Sequence, residues 1–355
     1  MGVKNLNHMA CGFVALAALS IYAASNAAQN APAPPASSVS TDPNLPAWAY
    51  PPGPALSARG GAARGFGRGA ASQPAPDPGP ALHIPGSSAS YTAMQARNMF
   101  DIPDWFPNDH PSMPDMISHG DRANGAAGCG YCHLPNGFGR TENQSVAGLT
   151  ADYIIRQVAD FKSGARKTSG PRLAPVNTMV RESQVATDED VRIGAEYFAA
   201  VKPKPWIHVV ETDTVPVTKV VGPIWVAAEG GATERLGDDR IVEVAEDQDR
   251  FELRDASSGF VAYVPKGSIK RGKELVTKGA GKTTPCTICH GEDLKGLGNV
   301  PYLAGRSPSQ LARQIIDIQN GNRNGVDSAL MKPVVKNLTN KDIVDITAYL
   351  VSLNP

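Results

Sequence analysis

Two pentapeptides decide the fold of this chain: CGYCH at residues 129–133 and CTICH at residues 286–290. Both have the pattern C-x-x-C-H, and equivalent positions lie 157 residues apart. The 355-residue chain has five cysteines, and Cys11 is the one that lies outside these pentapeptides. The cysteine chemistry of the protein is therefore concentrated in two matched places.

The C-x-x-C-H pattern is the covalent attachment motif of c-type haem. Its two thiols form thioethers with the haem vinyl groups, and the spacing of two residues fits the separation of those vinyls. The histidine that follows supplies an imidazole to the iron. The sequence therefore predicts two covalently bound haem c groups. The predicted attachment residues are Cys129, Cys132, Cys286 and Cys289, and the predicted iron-binding histidines are His133 and His290.

Zinc and disulfide chemistry fit the two motifs less well. A four-cysteine zinc ribbon holds its C-x-x-C pairs about 15–20 residues apart, whereas 153 residues separate the pairs here. CGYCH also resembles the active site of a periplasmic disulfide isomerase. Such a site follows a strand and opens a helix, but GAAG at 125–128 precedes this motif and PNGFG at 135–139 follows it.

The chain repeats itself at a shift of 157 residues. The alignment needs no gap over almost forty residues. The matched positions are Gly139 with Gly296, Ala147-Gly148 with Ala304-Gly305, Arg156-Gln157 with Arg313-Gln314, Asp160 with Asp317, Gly164 with Gly321, and Arg166 with Arg323. Each copy of this duplicated unit contains one C-x-x-C-H motif.

Both copies predict the same helices. A middle helix is predicted over 152–163 and over 308–320, and SPSQ at 307–310 predicts a capping box for the second. A last helix is predicted to begin at Thr187 and at Thr339, each with acidic residues in the first turn. The other residues expected to begin or end these helices are Thr150, Gly164, Pro203, Ser307, Gly321 and Pro355.

The order of haem motif, middle helix, methionine and last helix resembles a class I cytochrome c, over about 110–205 and 267–355. Two such units in one chain resemble the tandem di-haem cytochromes of the cytochrome c4 type. The resemblance implies a methionine as the second axial ligand, between the middle and last helices. Met179 and Met331 are the one methionine of that interval in each copy. A thioether ligand raises the haem potential relative to a second histidine.

The family also fixes the haem-binding histidine through a proline carbonyl. Pro301 fits this role in the second copy, and Gln144 is the aligned residue in the first. Arg166 and Arg323 are candidate partners of haem propionates, with solvated surface arginines as the equal alternative. The remaining candidate ligands of the first copy lie outside the expected interval: His110, His119 and His208.

The segments outside the repeats differ in composition. Residues 1–27 predict a signal peptide, because the apolar run at 11–24 is too short to span a bilayer. Residues 28–88 are rich in Pro, Gly and Ala and predict a disordered arm. Within that arm, Trp48 and Tyr50 either dock on a folded domain or stay exposed. Residues 206–266 contain short β-branched runs and predict a small β-rich insert that cytochrome c4 lacks.

The predicted fold class is mainly α. Two cytochrome c-like helical haem domains, 89–205 and 267–355, are joined by the β-rich insert and preceded by the arm. The zero net charge gives no reason to expect binding to nucleic acid or to an anionic membrane. No transmembrane segment is expected in the mature chain.

The resemblance implies an electron carrier of the periplasm without catalytic residues. Its partners would be periplasmic redox proteins: a dehydrogenase or another cytochrome as donor, and an oxidase or a cytochrome as acceptor. Two alternatives are a di-haem cytochrome c peroxidase, which needs one iron with an open position, and a cytochrome subunit of a periplasmic dehydrogenase. Thiosulfate-oxidising di-haem enzymes use a cysteine ligand, and removal of the signal peptide leaves no spare cysteine.

Overall fold

The computed structural model describes residues 45–52, 79–170 and 173–355. The predicted signal peptide, residues 1–27, lies outside the described residues. All described residues belong to one contact unit, Thr41–Pro355. Within these ranges, no helix has the length and apolar character needed to cross a membrane.

The first repeat is helical around its C-x-x-C-H motif. A short hairpin of β1 (Leu82–His83) and β2 (Ser90–Tyr91) and a 3-10 turn at Gln95–Arg97 precede it. Its helices are α1 (Asp115–Ser118), α2 (Cys129–His133), α3 (Ala151–Ser163), α4 (Ala174–Val185) and α5 (Asp188–Ala200).

The predicted helix ends are largely confirmed in this repeat. The Thr150 hydroxyl accepts a hydrogen bond from the Tyr153 amide, so α3 begins one residue earlier than expected. Gly164 ends α3 with a φ of 77°, a left-handed conformation in which a side chain would be strained. Thr187 and Asp190 form a reciprocal capping box at the start of α5.

The insert contains most of the β structure. Its elements are β3 (Ile207–Thr212), β4 (Thr214–Pro216), β5 (Thr218–Val221), β6 (Ile224–Ala227), β7 (Thr233–Arg235), β8 (Val242–Ala245), α6 (Gln248–Glu252) and β9 (Phe260–Pro265). In the three-stranded sheet β9 lies in the middle, parallel to β3 and antiparallel to β8. The pairs β4–β7 and β5–β6 are antiparallel.

One segment of the insert differs from the expectation. The insert is not β structure throughout, because α6 occupies the first residues of the run RFELRD at 250–255. The Asp247 carboxylate accepts a hydrogen bond from the Arg250 amide at 3.0 Å and so caps this helix. A local cap therefore outweighs the weak alternation of apolar residues.

The second repeat has the longer N-terminal helix. Its helices are α7 (Ser268–Lys278), α8 (Thr287–His290), α9 (Pro308–Gln319), α10 (Met331–Val335) and α11 (Asn340–Val351), with 3-10 turns at Gly279–Gly281 and Val326–Ser328. Helices α7 and α11 cross so closely that a Cβ at Gly272 would lie 1.9 Å from the Asp345 carbonyl oxygen. Only glycine fits there. Arg271 joins the same two helices through two hydrogen bonds to Asp345, at 2.8 and 2.9 Å.

Residues 45–52, here called the strap, depart from the expected disordered arm. Trp48, Ala49 and Tyr50 are buried in the core that β9, α9 and α11 also form. The Arg313 guanidinium donates to the Ala49 carbonyl at 2.9 Å. Of the two expectations for Trp48 and Tyr50, docking is the one the structure shows. Burial of two aromatic rings offsets the entropy lost when this short, proline-rich stretch is ordered.

Candidate haem sites

A cavity of about 190 Å³ lies in the first repeat. The residues that line it include all four that the sequence assigns to this site: Cys129, Cys132, His133 and Met179. They come from α2 and α4, and apolar side chains of α3 and α5 complete the wall, among them Val158, Phe161 and Phe198. The fold thus brings the predicted ligands of the first site together around one cavity.

A second cavity, of about 460 Å³, lies in the second repeat. It is lined by the equivalent predicted residues: Cys286, Cys289, His290 and Met331. Apolar residues of α9 and α11, such as Ile315, Ile346 and Leu350, form much of the wall. Both cavities therefore combine a mostly apolar lining with one histidine, two thiols and the methionine that the sequence assigns to the site.

Both histidines are held by a backbone carbonyl. Nδ1 of His133 donates to the Gln144 carbonyl at 2.8 Å, and Nδ1 of His290 donates to the Pro301 carbonyl at 2.7 Å. This bond places the proton on Nδ1 and leaves Nε2 free to bind a metal. Burial lowers the pKa of both imidazoles, which favours the neutral, metal-binding form. A main-chain carbonyl does not depend on the side chain, so Gln144 serves as well as a proline.

Three of the four motif thiols, Cys129, Cys132 and Cys286, are unsuited to disulfide exchange. Burial raises the pKa of Cys129 to about 12 and that of Cys132 to about 11. Burial likewise raises the pKa of Cys286 to about 11. Redox-active C-x-x-C sites need the opposite shift, because the thiolate is the nucleophile. The disulfide-isomerase alternative is therefore disfavoured by the setting of the thiols.

The first cavity contains more methionines than the sequence analysis considered. Met99 and Met116 line it together with Met179. They precede the C-x-x-C-H motif, so a search restricted to the interval between the middle and last helices does not find them. In the second cavity Met331, the first residue of α10, is the one methionine among the described lining residues.

The other histidines considered for the first site have different neighbours. Nε2 of His110 lies 3.1 Å from Asp104, and its Nδ1 lies 3.1 Å from the Tyr197 hydroxyl. His119 lies beside Asp101, and His208 is part of β3. None of the three belongs to the described lining of either cavity.

The two cavities lie side by side. Gln144, Tyr153 and Gln314 line both of them. The two predicted haem sites are thus neighbours in the fold.

Two arginines join the repeats at this shared wall. Arg166 donates to Gln157 at 2.8 Å and to Gln314 at 3.0 Å. Arg323 donates to the same two amides, at 3.0 and 3.1 Å. Arg166 is 8% exposed, so it is not a solvated surface residue. Burial, with Arg323 as the next largest cause, lowers the pKa of Arg166 to about 9.

Several buried arginine atoms lack a partner among the described residues. Nη1 of Arg306 and Nε of Arg323 are such donors, and both side chains line the second cavity. Buried cations of this kind need anionic acceptors. The carboxylates of a haem are suitable acceptors. The thiols suit attachment to its vinyl groups, the imidazoles suit its iron, and the apolar walls suit its ring. The residues present therefore fit a covalently bound haem in both cavities.

Comparison with known proteins agrees with this chemistry. The model of the family Cytochrome c matches residues 269–354. Cytochrome c-554(548) of Halomonas halodenitrificans is 40% identical over 72 residues, which cover 20% of this chain and 87% of that protein. Cytochrome c4 of Azotobacter vinelandii is 26% identical over 248 residues, which cover 66% of this chain and 90% of that protein.

Among solved structures, thiosulfate dehydrogenase (TsdBA) of Marichromatium purpuratum aligns with a TM-score of 0.44 and 23% identity, over 66% of this chain and 38% of that one. Motifs, cavity chemistry and the two sequence relatives lead to one assignment. The chain belongs to the c-type cytochrome family, in a tandem di-haem arrangement that resembles cytochrome c4, and it carries two covalently bound haem c groups.

Proposed function

We propose that this protein is an electron carrier of the periplasm that relays electrons through two His/Met haems. The first haem is attached to Cys129 and Cys132, the second to Cys286 and Cys289. The axial pairs are His133 with Met179 and His290 with Met331. The observation that carries the proposal is the grouping of each set around its own cavity, with three residues common to both walls.

A bound haem c supplies a one-electron redox centre whose potential depends on its axial ligands and on its burial. The chain's own residues prepare the site for it. The carbonyls of Gln144 and Pro301 orient the imidazoles and fix their tautomer. The apolar walls exclude water. The guanidinium groups of Arg166, Arg306 and Arg323 offer positive charge at the shared wall and in the second cavity.

Adjacent sites suit a relay better than they suit two independent centres. Tyr153 of α3 and Gln314 of α9 belong to different repeats, yet each lines both cavities. The wall between the sites is thus one side chain thick at these positions. A short separation of this kind favours electron exchange inside the molecule.

Electron transfer is favoured over peroxidase activity because both sites have the same proposed ligand set. A peroxidase needs two unlike centres, one of which opens a coordination position. In each cavity a methionine is present to fill that position. The donors and acceptors proposed are other periplasmic redox proteins, and the domain limits proposed are 89–205 and 267–355, on either side of the insert at 206–266.

The proposal is tested on the full-length protein, exported from a host that has a haem c maturation system. We expect two covalent haems by mass and by haem staining, periplasmic fractionation, and two reversible one-electron waves in an anaerobic titration. A variant with Cys129→Ala and Cys132→Ala is the matched control and should retain one haem. Peroxide turnover on the order of 10 per second, with a five-coordinate signal in the half-reduced protein, would overturn the carrier assignment.

A further inference from the structure

The two attachment loops are exposed to very different degrees. Residues 134–139, which follow the first motif, are all buried. At the equivalent positions 291–296 of the second repeat, Glu292, Asp293 and Lys295 are exposed. Ile288, inside the second motif, is 65% exposed, whereas its counterpart Tyr131 is partly buried. The loop after the motif is therefore covered in the first repeat and open in the second.

Residues 248–257 of the insert, here called the cover segment, lie on the first loop. Nη1 of Arg254 donates to the Tyr131 carbonyl at 2.5 Å, and its guanidinium carbon lies 3.5 Å from the centre of the Tyr131 ring. The Asn136 amide donates to the Ala256 carbonyl at 2.5 Å. Arg254 has a φ of 56°, a conformation that costs energy for a residue with a side chain. Its contacts with the loop sustain that conformation.

Further contacts hold the cover segment in place. The guanidinium of Arg140 lies 3.6 Å above the ring of Phe251. The Trp105 indole donates to the Leu253 carbonyl at 2.9 Å. The Arg250 guanidinium donates to the buried Asp255 carboxylate at 2.6 Å. These contacts hold the cover segment against the first motif and its loop.

The open loop adjoins the mouth of the second cavity. Cys289 and Leu330 both line that cavity, and both are exposed, Leu330 to 79%. Together with Ile288, the exposed neighbour of Cys289 in the motif, these residues are here called the rim. Exposed apolar side chains at a functional opening mark a contact surface for another molecule.

Charge favours one kind of partner at this rim. Residues 267–355 contain twelve Lys and Arg against seven Asp and Glu. Residues 206–266 contain six Lys and Arg against twelve Asp and Glu. An acidic protein is therefore attracted to the second repeat and repelled by the insert that covers the first.

We propose that the cover segment closes the first attachment loop to redox partners, so that exchange takes place at the rim of Ile288, Cys289 and Leu330, with a redox protein whose contact face is apolar and acidic. This inference rests on the proposed electron-carrier function. The inference gives the insert a function. By covering the first site, the insert leaves the second site as the place where the protein exchanges electrons with its partners.

The first experiment measures electron exchange with plastocyanin, an acidic blue-copper protein, by stopped flow. Ile288→Glu should slow the second-order rate constant at least tenfold at low salt, since it places a carboxylate on the rim. Val221→Glu is the matched control: it changes an exposed apolar residue of β5 and should alter the rate less than twofold. An unchanged rate for Ile288→Glu would overturn the proposal, as would faster exchange with basic mitochondrial cytochrome c than with plastocyanin.

The second experiment locates the contact directly. Hydroxyl-radical footprinting with plastocyanin should protect the peptide around 285–291 and leave 129–140 unchanged. Protection of the first loop would overturn the proposal, and so would a wild-type dimer that Ile288→Glu dissociates. Visible spectra should show that both haems of every variant are reduced and reoxidised reversibly. A loss of that reversibility would count against the electron-carrier function, whereas the outcomes above concern only the contact surface.

Discussion

Arg166 and Arg323, which occupy the same position in the two repeats, form an antiparallel β-bridge with each other. Their guanidinium groups share the side-chain oxygens of Gln157 and Gln314, which are also equivalent positions. Two like charges are thus held together at a local two-fold axis between the cavities. The carboxylates of Asp160 and Asp317 interact with Arg166, and haem carboxylates are the further anions we expect near this pair.

Removal of one of these charges should lower a haem potential. Arg166→Gln and Arg323→Gln each delete a cation near an iron whose ferric form carries the greater positive charge. At an effective dielectric constant of about 20, two charges roughly 10 Å apart interact by about 2 kcal/mol. Since about 60 mV corresponds to a factor of ten in a one-electron equilibrium, we expect a decrease of several tens of millivolts in a redox titration.

The matched control for these variants is Arg192→Gln. Arg192 is a surface residue of α5 that pairs with Glu189 and Glu196. Its replacement should leave both potentials within error of the wild type. Equal potentials in the wild type and in Arg166→Gln would contradict the proposed pairing of this arginine with a haem carboxylate.

The axial methionines give a spectroscopic prediction. Met179→Ala and Met331→Ala should each remove half of the ferric methionine–iron band near the red end of the visible spectrum, and each should lower one potential. Met116→Ala and Met99→Ala are controls from the same first cavity and should retain the whole band. Should Met116→Ala remove half of the band while Met179→Ala retains it, the ligand of the first haem is Met116.

Features that depend on neighbouring residues in sequence could be predicted. The attachment motifs needed only a five-residue pattern, and the Thr187 capping box needed only four residues. The capping box expected at Ser307 is a local pattern that the structure does not complete. Ser307 caps α9, but the Gln310 side chain donates to the Arg140 carbonyl at 2.6 Å instead of returning to Ser307. A tertiary partner in the other repeat is the reason.

Contacts across long stretches of chain were not predictable. Arg254 reaches Tyr131 across 123 residues, and the Tyr50 hydroxyl reaches Asp317 across 267. Nothing in the local composition of either segment indicates its partner. The same holds for Tyr153 of α3, which lines both cavities.

A buried carboxylate should make stability depend on pH. Glu243 of β8 accepts hydrogen bonds from Ser307 at 2.8 Å and Ser309 at 2.5 Å, and its Oε1 is buried without a partner among the described residues. Burial raises the pKa of Glu243, although both serines and Arg313 oppose the shift. The folded state therefore holds this proton more tightly than the unfolded state. Stability is lost as pH rises above about 4.5 through the folded pKa.

The Glu243→Gln variant should not lose stability in this way as pH rises, because its amide does not ionise. The free energy of unfolding of this variant, relative to the wild type, should rise with pH in denaturant titrations between pH 4 and 8. Each unit of pKa shift corresponds to about 1.4 kcal/mol. Glu229→Gln is a control of opposite sign, because a hydrogen bond from Lys219 lowers the pKa of the exposed Glu229. A flat difference for Glu243→Gln across this range would contradict the prediction.

The strap should stabilise the fold through Tyr50. Its hydroxyl donates to Oδ1 of Asp317 at 2.8 Å, and the Ser169 amide donates to the same oxygen at 2.7 Å. Both Tyr50 and Asp317 are buried, so Tyr50→Phe leaves a buried carboxylate with one donor fewer. The expected loss is about 1–3 kcal/mol of unfolding free energy, measured by denaturant titration of the di-haem protein.

A double-mutant cycle separates this hydrogen bond from the packing of the ring. Asp317→Asn removes the charge but keeps the shape of the side chain, so Tyr50→Phe should cost less in that background than in the wild type. The ring itself remains against Gly170, where a Cβ would lie 2.6 Å from Tyr50 Cδ1. An equal cost of Tyr50→Phe in both backgrounds would mean that the strap is held by packing alone. A smaller cost in the Asn background would show that a residue outside both repeats stabilises the second one through a buried charge.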